Sequence, residues 1–160
     1  EVKIDDTAKR MCIALGKFTA YMRARPSKRQ KEKAEREFGS RLVEQIGRLA
    51  ICTAVVLNKT EVDDEVMRRT RQVALDTSRG RTLNITKHLF EVGDKGLETK
   101  QLAMYVTEKE EDARELLMFM LKIGAVEIFK RKIHRQSESH IGVWRLTERM
   151  RGLYSSVHKG

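Results

Sequence analysis

One stretch, residues 96–146, limits what this chain can fold into more than any other. It is preceded by an Asp94-Lys95-Gly96 turn signal and opens with two short helical patterns, residues 97–106 and 108–123. Gly124 then interrupts the helical period and suits a left-handed helix-ending position. An extended run rich in β-branched residues follows, 125–133, with a polar tip after it and a second extended run at 141–146. Two helices in tandem followed by a hairpin require a third helix to close a core. The 82–90 pattern, with Leu83, Ile85, Leu89 and Phe90, supplies it.

Helix, turn, helix, hairpin is the element order of a winged helix. Leu97, Leu102, Ala103 and Val106 are available to the core from the second helix. Ala113, Leu116, Leu117, Met120 and Leu121 form the apolar face of the third. Thr107 with Glu110 three residues later has the spacing of a capping box, so the third helix is expected to start near residue 108. Thr147 can cap a last helix, 148–155, whose Met150, Leu153 and Tyr154 pack back on the core, with residues 156–160 frayed. Trp144 in the second extended run anchors the hairpin to the body or stacks on a partner. Tyr105 is expected to be half-buried with its hydroxyl wet.

Charge divides this stretch. Lys130, Arg131, Lys132 and Arg135 crowd the tip side of the hairpin, where they can lie along a minor groove or a phosphate backbone. The third helix is different. A DNA-reading helix enters the major groove by its N-terminal residues, and here those are Glu108, Glu110, Glu111 and Asp112, with only Lys109 and Arg114 positive nearby. Acidic residues suit the helix dipole but are repelled by phosphates. The hairpin, rather than this helix, is therefore the expected nucleic-acid face.

Upstream, residues 1–78 read as a helical bundle and residues 79–160 as the winged-helix domain, giving a mostly α chain. Asp5 or Asp6 caps a helix to about residue 22, with Ala8, Met11, Cys12, Leu15, Phe18, Thr19 and Met22 at helical spacing. Pro26 ends or kinks it. A basic run follows: Arg23, Arg25, Lys28, Arg29, Lys31, Lys33 and Arg36. It can neutralise phosphates without reading sequence, or it is a solvated helix start. No aromatic is interleaved in it, so base stacking is not indicated there. The next helix carries Phe38, Leu42, Val43, Ile46, Leu49, Ala50, Thr53 and Val56, and residues from Lys33 onward can belong to it. Asn58 and Lys59 form a turn. Asp63 then caps a helix with Val66, Met67, Thr70, Val73 and Ala74 on its buried face, and Val62 is placed to staple against Met67.

The formal net charge of +10 implies an anionic partner, with nucleic acid the leading class. With 40% hydrophobic residues the chain can bury a core, and no run of 18 apolar residues offers a membrane span. Cys12 and Cys52 have no CxxC partner and read as small core side chains. This fits a reducing, cytoplasmic setting. The Glu1-Val2-Lys3 start lacks a signal-peptide pattern and an initiating Met, as expected of a piece of a longer protein.

No P-loop, nucleotide-binding glycine fingerprint or metallopeptidase motif occurs, so no catalytic activity and no cofactor are expected of these residues alone. His134 and His140 face across the hairpin with only Glu138 near, a poor metal set. Asp63 and Asp64 are neighbours on a helix start, which capping explains.

The segment 38–77 resembles the helical region after the ATPase core of some replicative AAA+ helicases. These include the minichromosome-maintenance type and the related helicase-primase proteins of archaeal plasmids and viruses. Arg41 and Arg48 with Leu49-Ala50, and then Val62-Asp63-Asp64-Glu65-Val66, carry the resemblance, and residues 80–146 would match the family's winged helix. The resemblance implies a non-catalytic module of a DNA replication protein, joined to a parent ATPase core. Arg41 or Arg48 would be the position that reaches a neighbouring subunit's nucleotide. Residues before Phe38 have no counterpart, which leaves two other readings. One is a dimeric winged-helix transcription regulator that self-associates through its N-terminal helix. The other is a protein-interaction or assembly module that uses the acidic third helix.

Overall fold

The computed structural model describes residues 1–24, 33–106, 109–133 and 140–158, with the side chains of 33–38 left aside. Among them the chain is mostly helical. Seven α-helices and one two-stranded sheet run in the order α1 (Asp6–Arg23), α2 (Lys33–Val56), α3 (Asp64–Thr77), α4 (Arg81–Val92), α5 (Thr99–Tyr105), α6 (Glu110–Lys122), β1 (Val126–Lys132), β2 (His140–Leu146) and α7 (Glu148–His158). No helix among the described residues is long and apolar enough to cross a membrane. The chain forms two compact units: Glu1–Arg79 with Leu153–Gly160, and Gly80–Gly152.

In the first unit, α1, α2 and α3 pack on one another. The Asp5 carboxylate accepts from the Ala8 amide at 2.7 Å and caps α1, satisfying a donor the helix leaves open. Leu15 and Phe18 are fully buried, and Cys12 and Met22 nearly so. At Gly16 the two long helices touch: a Cβ there would stand 2.6 Å from the Val43 Cα. Only hydrogen leaves room for that approach. Leu42, Ile46, Ala50 and Ala54, four residues apart, carry the buried line of α2. Val56 was expected on that line but is 82% exposed, because it lies outside the arc the other four define. Cys52 is likewise exposed, not a core residue; Cys12 alone fits that expectation.

Asn58 takes a positive φ of 54° in the turn after α2. The Lys3 amide donates to the Thr60 carbonyl and the Val62 amide to the Lys3 carbonyl, each at 2.9 Å, which ties the start of the chain to this turn. Asp63 caps α3 by accepting from the Val66 amide at 3.0 Å. Val66, Thr70 and Ala74 are buried, whereas Val73, expected beside them, lies at the rim and is exposed. The last residues continue as helix to His158 instead of fraying after 155. Val157 is fully buried, Tyr154 meets Phe18 edge-on at 5.9 Å, and His158 stacks on Tyr154 at 3.9 Å.

The second unit collects α4, α5, α6 and the hairpin. Its core holds Ile85, Leu89, Leu102, Leu117, Met120, Val126, Val143 and Leu146. Helix α5 is shorter than its apolar pattern suggested. Leu97 is not helical: it forms an antiparallel bridge with Trp144, and α5 starts after it. The Gln101 side chain accepts from the Glu98 amide at 2.9 Å and fixes that start. Helix α6 begins at Glu110 after Lys109, which gives no side-chain cap. Thr107 and Glu108, expected to open it, lie outside the described residues.

Candidate nucleic-acid interface

The hairpin takes its position from both ends. Gly124, at φ 77°, ends α6 and turns the chain into Ala125, which is fully buried. Strand β1 then pairs antiparallel with β2, with Val126 opposite Leu146, Ile128 opposite Trp144, Lys130 opposite Gly142 and Lys132 opposite His140. At the far end, the Thr147 hydroxyl donates to the Gly124 carbonyl at 2.9 Å and accepts from the Met150 amide at 3.3 Å. It closes the hairpin and starts α7 together.

Trp144 anchors the base. It is 2% exposed, and its indole Nε1 donates to the Thr99 hydroxyl at 2.9 Å. The side chain thus belongs to the body of the unit, not to an open stacking surface. Gly96, at φ 63°, lets the chain pass beneath it. A Cβ at Gly96 would fall 2.5 Å from the Trp144 carbonyl oxygen and 2.7 Å from Val143 Cγ1.

The inner part of β1 alternates and the outer part is open. Val126 is buried, Glu127 and Phe129 are half-buried, and Ile128, Lys130, Arg131 and Lys132 are exposed. Three cations therefore follow one another on the outer half of one strand. The fourth expected member, Arg135, lies outside the described residues. Two acids that sequence reading passed over also belong here. Glu98 pairs with Arg131 at 3.4 Å, and Glu127 pairs with Arg145, whose guanidinium carbon sits 4.7 Å from the centre of the Phe129 ring. The period-2 alternation of β1 was the signal for Glu127. Nothing local pointed to Glu98, which reaches the hairpin only through the fold.

The other predicted contacts are spread out. Lys109 is exposed just before α6. Arg114 is exposed and pairs with Glu110 at 3.2 Å, in a first turn that also holds Glu111 and Asp112. The local field there is acidic, as the sequence implied. Arg23 closes α1 in the first unit and is exposed, whereas Arg25, Lys28 and Arg29 lie outside the described residues. Arg41 and Arg48 are exposed on α2, with Arg48 held by Glu44 at 2.6 Å.

An ion-pair network stands in the first unit. Lys59 contacts both Asp63 and Glu65, the latter at 2.7 Å, and Arg69 joins Glu65 at 3.1 Å. The hydrogen bond from Lys59, helped by the Val66 amide, holds the Asp63 carboxyl below the usual range. Lys59 first and Arg69 second do the same for Glu65. With Asp63 also capping α3, the cluster is accounted for by local structure. Among the described residues no group of three or more His, Cys, Asp or Glu is placed to hold a metal ion; His134 lies outside them. No protein-family model matches the chain, and neither a curated protein nor a solved structure matches it.

Proposed function

We propose that this chain is a non-catalytic DNA-binding module of a DNA replication protein, a helicase or primase, and that it holds the phosphate backbone through a basic wing. The observation that carries the reading is the run Lys130-Arg131-Lys132, exposed on the outer half of a hairpin whose base is fixed by Trp144. A rigid base and a cationic outer half suit contacts that position a duplex without reading its bases. The order α4, α5, α6, β1, β2, with Leu97 joined to β2 by a single bridge, supports treating the second unit as a winged helix. Arg23 and the basic residues after it, Arg25, Lys28 and Arg29, would add phosphate contacts from the first unit. The replication assignment rests on the resemblance of residues 38–77 to the helicase family.

An assembly role has one observation in its favour. The first turn of α6, where a DNA-reading helix makes its contacts, presents exposed Glu110, Glu111 and Asp112. That turn suits a basic protein partner, such as a parent ATPase core, better than DNA.

The test is a titration of the full chain with random duplex, a candidate palindrome and single strands, at low and at moderate salt. Binding that falls steeply with salt and differs little between sequences supports the module. No binding at low salt overturns the DNA reading and leaves the assembly role. Strong preference for one palindrome favours a transcription regulator instead.

A further inference from the structure

The two faces of the hairpin are not equivalent. Side chains alternate along a strand, and directly paired residues share a face. The register puts Ile128, Lys130 and Lys132 on one face with Gly142 and His140, and Phe129 and Arg131 on the other with Ile141, Val143 and Arg145. The side-chain packing agrees with this division. The space where Gly142 would carry a Cβ is bounded by Ile128 Cδ1 at 3.2 Å, and Arg145 lies against Phe129.

Each arginine on the second face already has a carboxylate: Arg131 meets Glu98 and Arg145 meets Glu127. On the first face, Lys130 and Lys132 have no ion-pair partner among the described residues. A charge matched by a neighbour adds little attraction for a distant anion, because the pair's fields cancel beyond a few ångströms. Among the described residues, the net positive field of the hairpin therefore comes from the lysine face. Gly142, opposite Lys130, carries no side chain of its own, and Ile128 lies beside it on the same face, inward of the two lysines along β1.

The geometry points to a phosphate-binding strip on the outer part of this one face, formed by Lys130, Lys132 and His140. Its ligand is the sugar-phosphate backbone of duplex DNA. The two lysines are two residues apart on a strand, about 6.6–6.8 Å, a spacing of the same order as that of successive phosphates on one nucleic-acid strand. Arg131 is then a positioning residue: it ties the hairpin to the start of α5 through Glu98 and does not hold phosphate. The inference rests on the DNA-binding reading and sharpens it, since a basic hairpin alone would assign Arg131 the same role as its neighbours.

Two pairs of variants in the full chain test it by the salt dependence of duplex binding. The first pair adds charge at adjacent residues on opposite faces. H140K is expected to steepen the slope of log K against log salt by about 0.9, the effect of neutralising one further phosphate, and I141K to leave it unchanged. The second pair removes charge. K130A/K132A is expected to flatten the slope by about 1.8, and R131A to leave the slope as it is while lowering the denaturation midpoint. Equal effects of H140K and I141K, or a slope abolished in R131A and kept in K130A/K132A, overturn the face assignment alone. A wild-type chain without salt-dependent binding overturns the DNA reading and the strip with it.

Discussion

Leu97 and Trp144 exchange two backbone hydrogen bonds: the Leu97 amide donates to the Trp144 carbonyl at 2.9 Å and the Trp144 amide to the Leu97 carbonyl at 2.8 Å. This pair gives the hairpin a third extended partner and stops α5 from starting at Leu97. It also brings Thr99 within reach of the indole. The basic outer half of β1 is thus built on a base held by backbone and side chain together.

Trp144 is consequently expected to matter for stability. Trp144→Ala should cost about 3–5 kcal/mol, as for other buried aromatics. Trp144→Phe keeps most of the apolar body but loses the bond to Thr99, and should cost a further increment of about 1 kcal/mol beyond its lost volume. Urea unfolding followed by far-ultraviolet circular dichroism measures both, and a Phe variant as damaged as Ala would contradict the anchoring role.

Glycine at 96 and at 124 should behave differently. Both have positive φ, but only Gly96 faces a neighbour, the Trp144 carbonyl oxygen 2.5 Å from the added carbon. Gly124→Ala meets nothing within 4 Å and should cost about 1–2 kcal/mol from its backbone alone. Gly96→Ala adds an overpacking cost of about 1–3 kcal/mol to that. Equal losses in the two variants would mean that the chain does not pass this close beneath Trp144.

The first unit offers the same contrast. Gly16→Ala places a carbon 2.6 Å from the Val43 Cα and should force α1 and α2 apart, whereas Gly47→Ala, inside α2 with open space around it, should stabilise by about 0.5–1 kcal/mol through helix propensity. Thermal unfolding of the two variants separates them by sign.

Acid should weaken the start of α3. Asp63 and Glu65 are held below the usual carboxylate range by Lys59, so their contribution is present above the ordinary carboxylate pKa and is lost as pH falls through the lowered folded-state value. Lys59, raised by the same contacts, contributes below the ordinary lysine range and loses its share as pH rises through its raised value. Lys59→Met should flatten the acid limb of the stability profile. A limb unchanged by that substitution would show that other carboxylates set it.

The two thiols should react at different rates. Cys52 is exposed, while Cys12 is 3% exposed and burial raises its pKa, which suppresses the reactive thiolate. One equivalent of a thiol reagent should be consumed quickly and the second only on unfolding. Two fast equivalents would place Cys12 outside the core.

Much of this architecture was legible in residue types at fixed spacings. Asp5 and Asp63 announced their helices because a capping carboxylate needs only the amide three residues on. Gly124 and Thr147 marked the two ends of the hairpin for equally local reasons. What escaped were features decided by distant partners. Leu97 fits a helical pattern as well as an extended one, and only its bonds to Trp144 choose between them. Val56 continues an apolar series, yet the arc that meets α1 and α3 excludes it. The basic run on β1 was plain, but its two faces became distinct only once the register set His140 against Lys132 and the fold brought Glu98 to Arg131.

The central claim is that the hairpin holds nucleic-acid backbone. Its most direct test is duplex binding by the full chain with Lys130, Arg131, Lys132 and Arg135 all changed to Ala, with circular dichroism showing the fold retained. The expected result is weaker binding to every sequence alike, with a salt dependence flattened by about 0.9 for each phosphate that no longer meets a cation. Binding of unchanged strength and unchanged salt slope would contradict it.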